Sequence, residues 1–240
     1  MVKRVDGIRA VTYDCWGTLL KDRDWEGAWK KRLGALCDSL GIEEAEADQL
    51  LKEAWAKHDE AWKQVESFGA GRMAAYCLEA RGVFDDDRIT ELTRKFEEAS
   101  VEVGVEAVEG AEETLAALEQ ANIKIGLVCD TGLSPGRVVR QMLEDCGLAK
   151  YIEVMCFSDE VGVPKPANEI FEKALAGLGV LHPPEAIHVG DLKRTDIAGA
   201  HDIGMHTARF RGVHDDKSDV VDSPIILDTH KQLLEAIGLR

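Results

Sequence analysis

The sequence predicts an α/β fold: a Rossmann-like parallel sheet core carrying an inserted, all-helical cap. Three observations predict it. From Asp24 to about Gly104, apolar residues recur only at steps of three or four. After Gly110, short β-forming runs alternate with helical stretches of ten or so residues, the pattern of right-handed crossovers in a parallel sheet. One β-forming run stands alone before the helical stretch, so that stretch interrupts the sheet. The expected division is a core of residues 1–20 and 105–240 with a cap of residues 21–104.

Residues 8–13 (Ile-Arg-Ala-Val-Thr-Tyr) read as the first strand, ending at Asp14. The cap stripes follow: Trp25, Trp29, Leu33, Leu36 and Leu40, then Leu51, Trp55, His58, Trp62 and Val65, then Ile89, Leu92, Phe96, Ala99 and Val103. Gly41, Gly69, Gly82 and Gly104 punctuate them, which gives about four helices. In the core, helices are expected over 111–120, 134–145, 167–177 and 229–237. Strands are expected over 123–129, 152–157 and 186–189, with short pieces at 195–201, 205–209 and 225–227. The segment 212–224, with Asp215, Asp216, Asp219 and Asp222, reads as a solvated loop.

Composition excludes several classes of function. The 45 acidic residues outnumber the 29 basic ones, for a net charge of −16, and no Lys/Arg cluster appears, so nucleic-acid binding is not expected. No apolar run approaches the roughly 18 residues of a membrane span. The N-terminal Met-Val-Lys-Arg-Val-Asp lacks the apolar stretch of a secretion signal. The 6 cysteines are scattered without Cys-x-x-Cys or zinc spacing, so reduced, buried thiols in a cytoplasmic protein are expected. Oligomeric state is not legible.

In an open parallel sheet, ligands bind beyond the carboxyl ends of the strands. Four polar positions fall at such ends: Asp14, Thr131, the loop of Lys165, and Asp191. Singly, each has an ordinary explanation as a helix cap, a turn former or a solvated loop residue. Their order and local context are more specific. Val-Thr-Tyr-Asp14-Cys-Trp-Gly-Thr18-Leu-Leu resembles the first motif of the haloacid dehalogenase superfamily, whose phosphatases carry Asp-x-Asp-Gly-Thr-Leu. The strand ending in Cys-Asp-Thr131-Gly resembles the second motif, and Val-Pro-Lys165-Pro the third. Val-Gly-Asp191-Leu-Lys-Arg-Thr-Asp196 resembles the fourth. The resemblance runs the length of the chain, and the helical insert matches the family's helical cap, placed just after the first motif.

The resemblance implies a role for each matched residue. Asp14 would be a carboxylate nucleophile that accepts a phosphoryl group, and water would then cleave the aspartyl phosphate. Thr131 Oγ–H would donate to one phosphoryl oxygen and Lys165 would neutralise another, since phosphoryl transfer is mostly positioning and charge stabilisation. Asp14 and Asp191 are hard oxygen ligands suited to Mg²⁺, with the backbone carbonyl of Trp16 as the third protein ligand. Asp196 and Thr18 would support these groups from behind, and Gly132 would line the phosphate site. The implied partner is a small phosphorylated molecule.

One position departs from the pattern. The phosphatases carry a second Asp two residues after the nucleophile as general acid and base, and here Trp16 stands there. Indole cannot transfer a proton at neutral pH, and such help is typically worth ~10²–10⁴-fold. Three hydrolytic readings follow: a Mg²⁺-dependent phosphatase favouring good leaving groups such as acyl phosphates, a 2-haloacid dehalogenase, or a phosphonatase-like enzyme. A binding module without turnover is the reading from another class. The Gly-Asp191 form of the fourth motif favours the metal-dependent phosphatase.

Other candidates are weaker. The tryptophans read as packing of the cap core, with lining of an apolar substrate pocket as the alternative. His182, His188, His201, His206 and His214 show no metal spacing and read as structural or exposed. Alternation turns Cys15 away from the face of Asp14. Arg72 and Arg137 are candidate substrate contacts.

Overall fold

A computed structural model describes residues 3–239. The chain forms two compact units, one of residues 1–21, 106–130 and 143–240, the other of residues 22–105 and 131–142.

The first unit is built on a six-stranded sheet in the order β5-β4-β1-β6-β7-β8, with every neighbouring pair parallel. Its strands are β1 (Ala10–Tyr13), β4 (Lys124–Cys129), β5 (Val154–Phe157), β6 (Ala186–Gly190), β7 (His206–Phe210) and β8 (Ile226–Leu227). β1 and β6 are buried along their whole length, as expected for runs covered on both faces. The strand order reverses at β1, which pairs β4 on one side and β6 on the other. A crevice for ligands forms at the carboxyl ends of strands at such a switch point.

The connecting helices are α5 (Ala111–Gln120), α7 (Ser158–Val161), α8 (Asn168–Gly177), α9 (Ala198–Asp202) and α10 (Lys231–Ala236), while most of α6 (Gly136–Asp145) falls in the other unit. The amphipathic α8 buries Ile170, Phe171, Ala174 and Leu175 in one cluster with Ala10, Val128, Cys156 and Ala186. That cluster anchors α8 to the sheet and fixes the loop before it, which carries Lys165. Burying each of these large side chains contributes about 1.5–3 kcal/mol.

The helical unit contains α1 (Trp25–Leu40), α2 (Glu44–Lys63), α3 (Ala70–Glu79) and α4 (Asp86–Val103). Asp24 caps α1 by accepting from Gly27 N–H at 2.8 Å, and Asp85 caps α4 by accepting from Arg88 N–H at 3.0 Å. The apolar stripes of α1–α4 meet in a core of Leu36, Leu51, Met73, Leu78 and Phe96, which Leu133 joins from the segment 131–142.

The expected packing of the tryptophans into the cap core is met in part. Trp29 and Trp55 pack against its edge, and Trp25 is 47% exposed. The three line an open cleft of about 840 Å³ between α1 and α2.

Two short strands escape the periodicity, β2 (Leu20–Asp22) and β3 (Val105–Ala107), which pair as a two-stranded sheet. The segment 212–224 is also more constrained than a solvated loop. Asp222 and Asp215 accept from Arg209 at 2.7 and 2.8 Å, and Asp216 accepts from Lys193 N–H at 2.8 Å. Arg209 lies on the buried face of β7, so its guanidinium requires these partners. No helix among the described residues is long and apolar enough to cross a membrane. The 6 cysteines form no disulfide among the described residues.

Candidate active site

Asp14 directly follows β1, and its N–H still donates to Val189 O of β6 at 2.8 Å. Asp191 directly follows β6. The loop between α7 and α8 brings in Lys165, whose N–H donates to Asp130 Oδ1 at 2.8 Å beyond β4. Three strand ends and one loop thus converge at the switch point.

Lys165 Nζ donates to Asp14 Oδ1 at 2.5 Å and to Asp196 Oδ1 at 2.7 Å. Its side chain is only 2% exposed, so both contacts are made away from solvent screening. Asp196 lies on a π-helical turn, Lys193–Ile197, that follows β6. π-turns occur preferentially at functional sites. Here the turn lets Leu192 N–H donate to Asp196 Oδ2 at 2.9 Å.

Two glycines of the motifs are required by this packing. A Cβ on Gly190 would lie 2.3 Å from Asp196 Cγ, and one on Gly17 would lie 2.9 Å from Asp191 Oδ2. Gly17 also adopts φ +74, a left-handed conformation that side chains disfavour.

The electrostatics follow from three buried carboxylates around one ammonium. Burial raises the Asp14 pKa from 3.8 to about 7 although Lys165 opposes it, and Asp196 adds to the rise. Burial raises Asp191 further, to about 9, with Asp14 and Asp196 as neighbouring like charges. Asp196 goes the other way. Burial opposes its ionisation, but the contacts with Lys165 and His188 hold its pKa below the ordinary value. For Lys165, burial is outweighed by Asp14, Asp196 and Asp130, which keep it protonated.

Carboxylate oxygens of Asp14, Asp191 and Asp196 lie within 4.8 Å of one another. Asp196 already accepts three hydrogen bonds through both oxygens, which leaves Asp14 and Asp191 as the groups able to hold a cation. The cluster is short of positive charge, and hard carboxylate oxygens suit Mg²⁺. The residues present therefore fit such an ion.

Trp16 is half-buried and bridges to Leu20 through its backbone. Thr18 is buried, and its carbonyl accepts from His230 Nε2 at 2.9 Å. Thr131 follows Asp130 and falls, with Gly132, Arg137 and Arg72, in the helical unit. There Gly132 O accepts from Ala70 N–H at 3.2 Å, Arg137 pairs with Glu97, and Arg72 Nη1 donates to Ser67 O at 2.9 Å.

Sequence reasoning took His188 as structural or exposed and did not single out His230 or Asp130. His188 is completely buried, Nε2 lying 3.3 Å from Asp196 Oδ1 and Nδ1 2.8 Å from Thr12 Oγ1. A polar ring inside an otherwise apolar strand next to the Gly-Asp191 turn was the available signal, because such a group needs partners. His230 stacks on Phe210 with ring centroids 4.4 Å apart, and nothing in its local sequence points to Thr18.

Comparison with known proteins shows the family and the fold. The family description "Haloacid dehalogenase-like hydrolase" matches residues 34–210, well over half of the chain. The chain belongs to the haloacid dehalogenase-like hydrolases. It is 26% identical over 246 residues to "Haloacid dehalogenase-like hydrolase domain-containing protein 3" of Mus musculus, covering 97% of this chain and 94% of the mouse protein. It is 36% identical over 132 residues to a glyceraldehyde 3-phosphate phosphatase of Methanopyrus kandleri, covering 52% of this chain and 53% of that protein. The magnesium-bound structure of the HAD-hydrolase YfnB from Bacillus subtilis superposes with a TM-score of 0.68 at 18% identity, covering 99% of this chain and all of that one. That likeness shows the fold: as a haloacid dehalogenase-like hydrolase, the chain has the α/β, Rossmann-like architecture that the sequence predicts.

Proposed function

We propose that this hydrolase is a Mg²⁺-dependent phosphatase acting on a small phosphomonoester or acyl phosphate through an aspartyl-phosphate intermediate. The observation that carries the reading is Lys165 Nζ between Asp14 and Asp196, with Asp191 alongside, at the carboxyl end of the switch strand. Phosphatases among the similar proteins support it.

Asp14 must be ionised to attack, and its contact with Lys165 favours that form. One carboxylate oxygen of Asp14 bonds to phosphorus while the bond to the leaving oxygen breaks, and that oxygen departs with the electron pair. Lys165 neutralises charge on the transferred group, and Thr131 donates a hydrogen bond to it by the family resemblance. Water then hydrolyses the aspartyl phosphate, releasing orthophosphate and restoring Asp14. Asp14, Asp191 and the Trp16 carbonyl would hold Mg²⁺, which supplies charge neutralisation for the phosphoryl oxygens when bound. No general acid stands at position 16, so leaving groups that depart unprotonated are favoured.

The test is phosphate release from a panel of phosphorylated metabolites, acyl phosphates and 4-nitrophenyl phosphate, with Mg²⁺ and with excess chelator. Mg²⁺-dependent release that Asp14→Asn abolishes supports the reading. Trp16 favours a second reading, a 2-haloacid dehalogenase, in which halide leaves without an acid. Halide release from a 2-haloacid in the presence of chelator would establish it in place of the first.

A further inference from the structure

His188 lies in β6 directly opposite Thr12 in β1, and the two meet through their side chains as well as their strands. Its ring touches nothing that reacts, yet both nitrogens are committed. Asp196 is an ionised carboxylate and only accepts, so Nε2 carries a hydrogen and donates to Oδ1. Nδ1 is then the acceptor for the Thr12 hydroxyl at 2.8 Å. Phe171 meets the ring edge-on, with centroids 5.1 Å apart and planes at 89°, which fixes the plane of the imidazole.

We propose that His188, set in one tautomer by Thr12, is a positioning residue that holds the Asp196 carboxylate so that Lys165 is presented to Asp14. Asp196 Oδ1 receives His188 and Lys165 together, and Oδ2 receives Leu192 N–H. Removing the imidazole donor leaves Oδ1 with Lys165 alone. The carboxylate can then turn about its last bond, and the ammonium that follows it no longer points at Asp14. Groups that orient a reacting centre from behind are worth about 10–100-fold in activity. Small misplacements of a charge-stabilising group have effects of that order. The inference rests on the phosphatase reading, because it assigns Lys165 a place in phosphoryl transfer.

A purely structural role would be core packing, and substitutions separate the two. Leucine fills much of the imidazole volume but donates nothing, whereas glutamine carries an amide donor at similar reach. His188→Leu is expected to lower kcat on 4-nitrophenyl phosphate about 10–100-fold with KM changed less than about threefold. His188→Gln is expected to recover most of that loss at a comparable thermal midpoint. Thr12→Val keeps the ring and removes only the partner of Nδ1, and it should lower kcat several-fold. It serves as the test should His188→Leu fail to fold. Imidazole ¹⁵N spectra of the wild-type protein should show a bare Nδ1 and a protonated Nε2. Equal impairment of the leucine and glutamine variants, or wild-type kcat in the leucine and valine variants, overturns the proposal. So does a wild-type spectrum with Nδ1 protonated and Nε2 bare. A wild-type protein that hydrolyses no phosphate overturns the phosphatase reading and the catalytic half of this proposal with it, while the ¹⁵N spectrum decides the hydrogen-bond relay separately.

Discussion

Gly190 and Asp196 pack so tightly that a methyl group on Gly190 would stand 2.3 Å from the Asp196 carboxyl carbon. The end of β6 and the π-turn after it are therefore one unit, and the absence of a side chain at 190 is what lets Asp196 reach Lys165. Gly190→Ala must push Asp196 outward, break its bond to Leu192 N–H or displace the turn. We expect a loss of about 1–3 kcal/mol in stability, the range for overpacking a well-filled site. Activity should fall well beyond what that destabilisation explains. Denaturant unfolding together with kcat checks this, and a variant with wild-type stability and turnover refutes the packing argument.

Asp14→Asn should abolish turnover, by at least about 10³-fold, because an amide cannot form the covalent intermediate. The same change should leave the fold as stable or stabilise it. Asp14 is a buried carboxylate whose pKa is raised to about 7, so ionising it at neutral pH works against the folded state. Lys165 keeps Asp196 as its partner in the variant. Thermal unfolding and a phosphate-release assay on one sample test both halves. A large drop in thermal midpoint contradicts the electrostatic account, and turnover within tenfold of wild type contradicts the nucleophile.

Removal of divalent cation should make stability depend on pH in a definite direction. Asp14 and Asp191 have folded-state pKa values raised to about 7 and about 9 from 3.8. Between those limits the folded chain binds protons that the unfolded chain has released, so stability falls as pH rises from about 4 to about 9. Mg²⁺ binds the ionised forms, so its stabilising effect should grow with pH over the same window. Asp196 contributes oppositely, and its share is lost only under acid, below the ordinary carboxylate range. Thermal midpoints in chelator and in excess MgCl₂, measured at several pH values, check the trend. Asp191→Asn should remove most of the Mg²⁺ effect. A Mg²⁺ shift that shrinks as pH rises would falsify the assignment.

The legible and illegible parts of the molecule differ for physical reasons. Asp14, Lys165, Asp191 and Asp196 could be singled out because each sits in a short motif legible from local sequence, and the structure brings all four together. Three cap helices, α1, α2 and α4, could be read because their apolar stripes repeat over whole turns, whereas α3 was marked only by the glycines around it. β2 and β3 could not, since three residues are too few to show alternation. His188 looked like strand packing because its partners, Thr12 and Asp196, are distant or across a turn and only the folded register supplies them. The aspartates of 212–224 looked solvated because charge usually is. Arg209, a cation buried in β7, was the sign that some of them are needed as partners.

Trp16 stands where relatives with an acid would carry a carboxylate, and the expected consequence is a penalty that depends on the leaving group. An alkoxide, with a conjugate acid of pKa about 15, needs a proton as it departs, whereas a nitrophenolate or a carboxylate leaves without one. The wild-type enzyme should therefore discriminate steeply between alkyl and activated phosphates. Trp16→Asp should raise kcat/KM on alkyl monoesters by about 10–10³-fold, the lower part of the range for general acids, because the surroundings were not shaped to orient a carboxylate there. The new group would join a region already crowded with carboxylates, and Asp14 and Asp191 show that burial there raises pKa. That is the direction a general acid at neutral pH requires. The structural cost is moderate, since Trp16 is half-buried and its backbone bridge to Leu20 does not involve the indole. Rates are to be compared once circular dichroism and Mg²⁺ binding match the wild-type protein. Acceleration confined to the alkyl esters supports the assignment of position 16 as the site of a missing acid. Equal acceleration of both classes, or of neither in a folded variant, shows that the indole there serves another purpose.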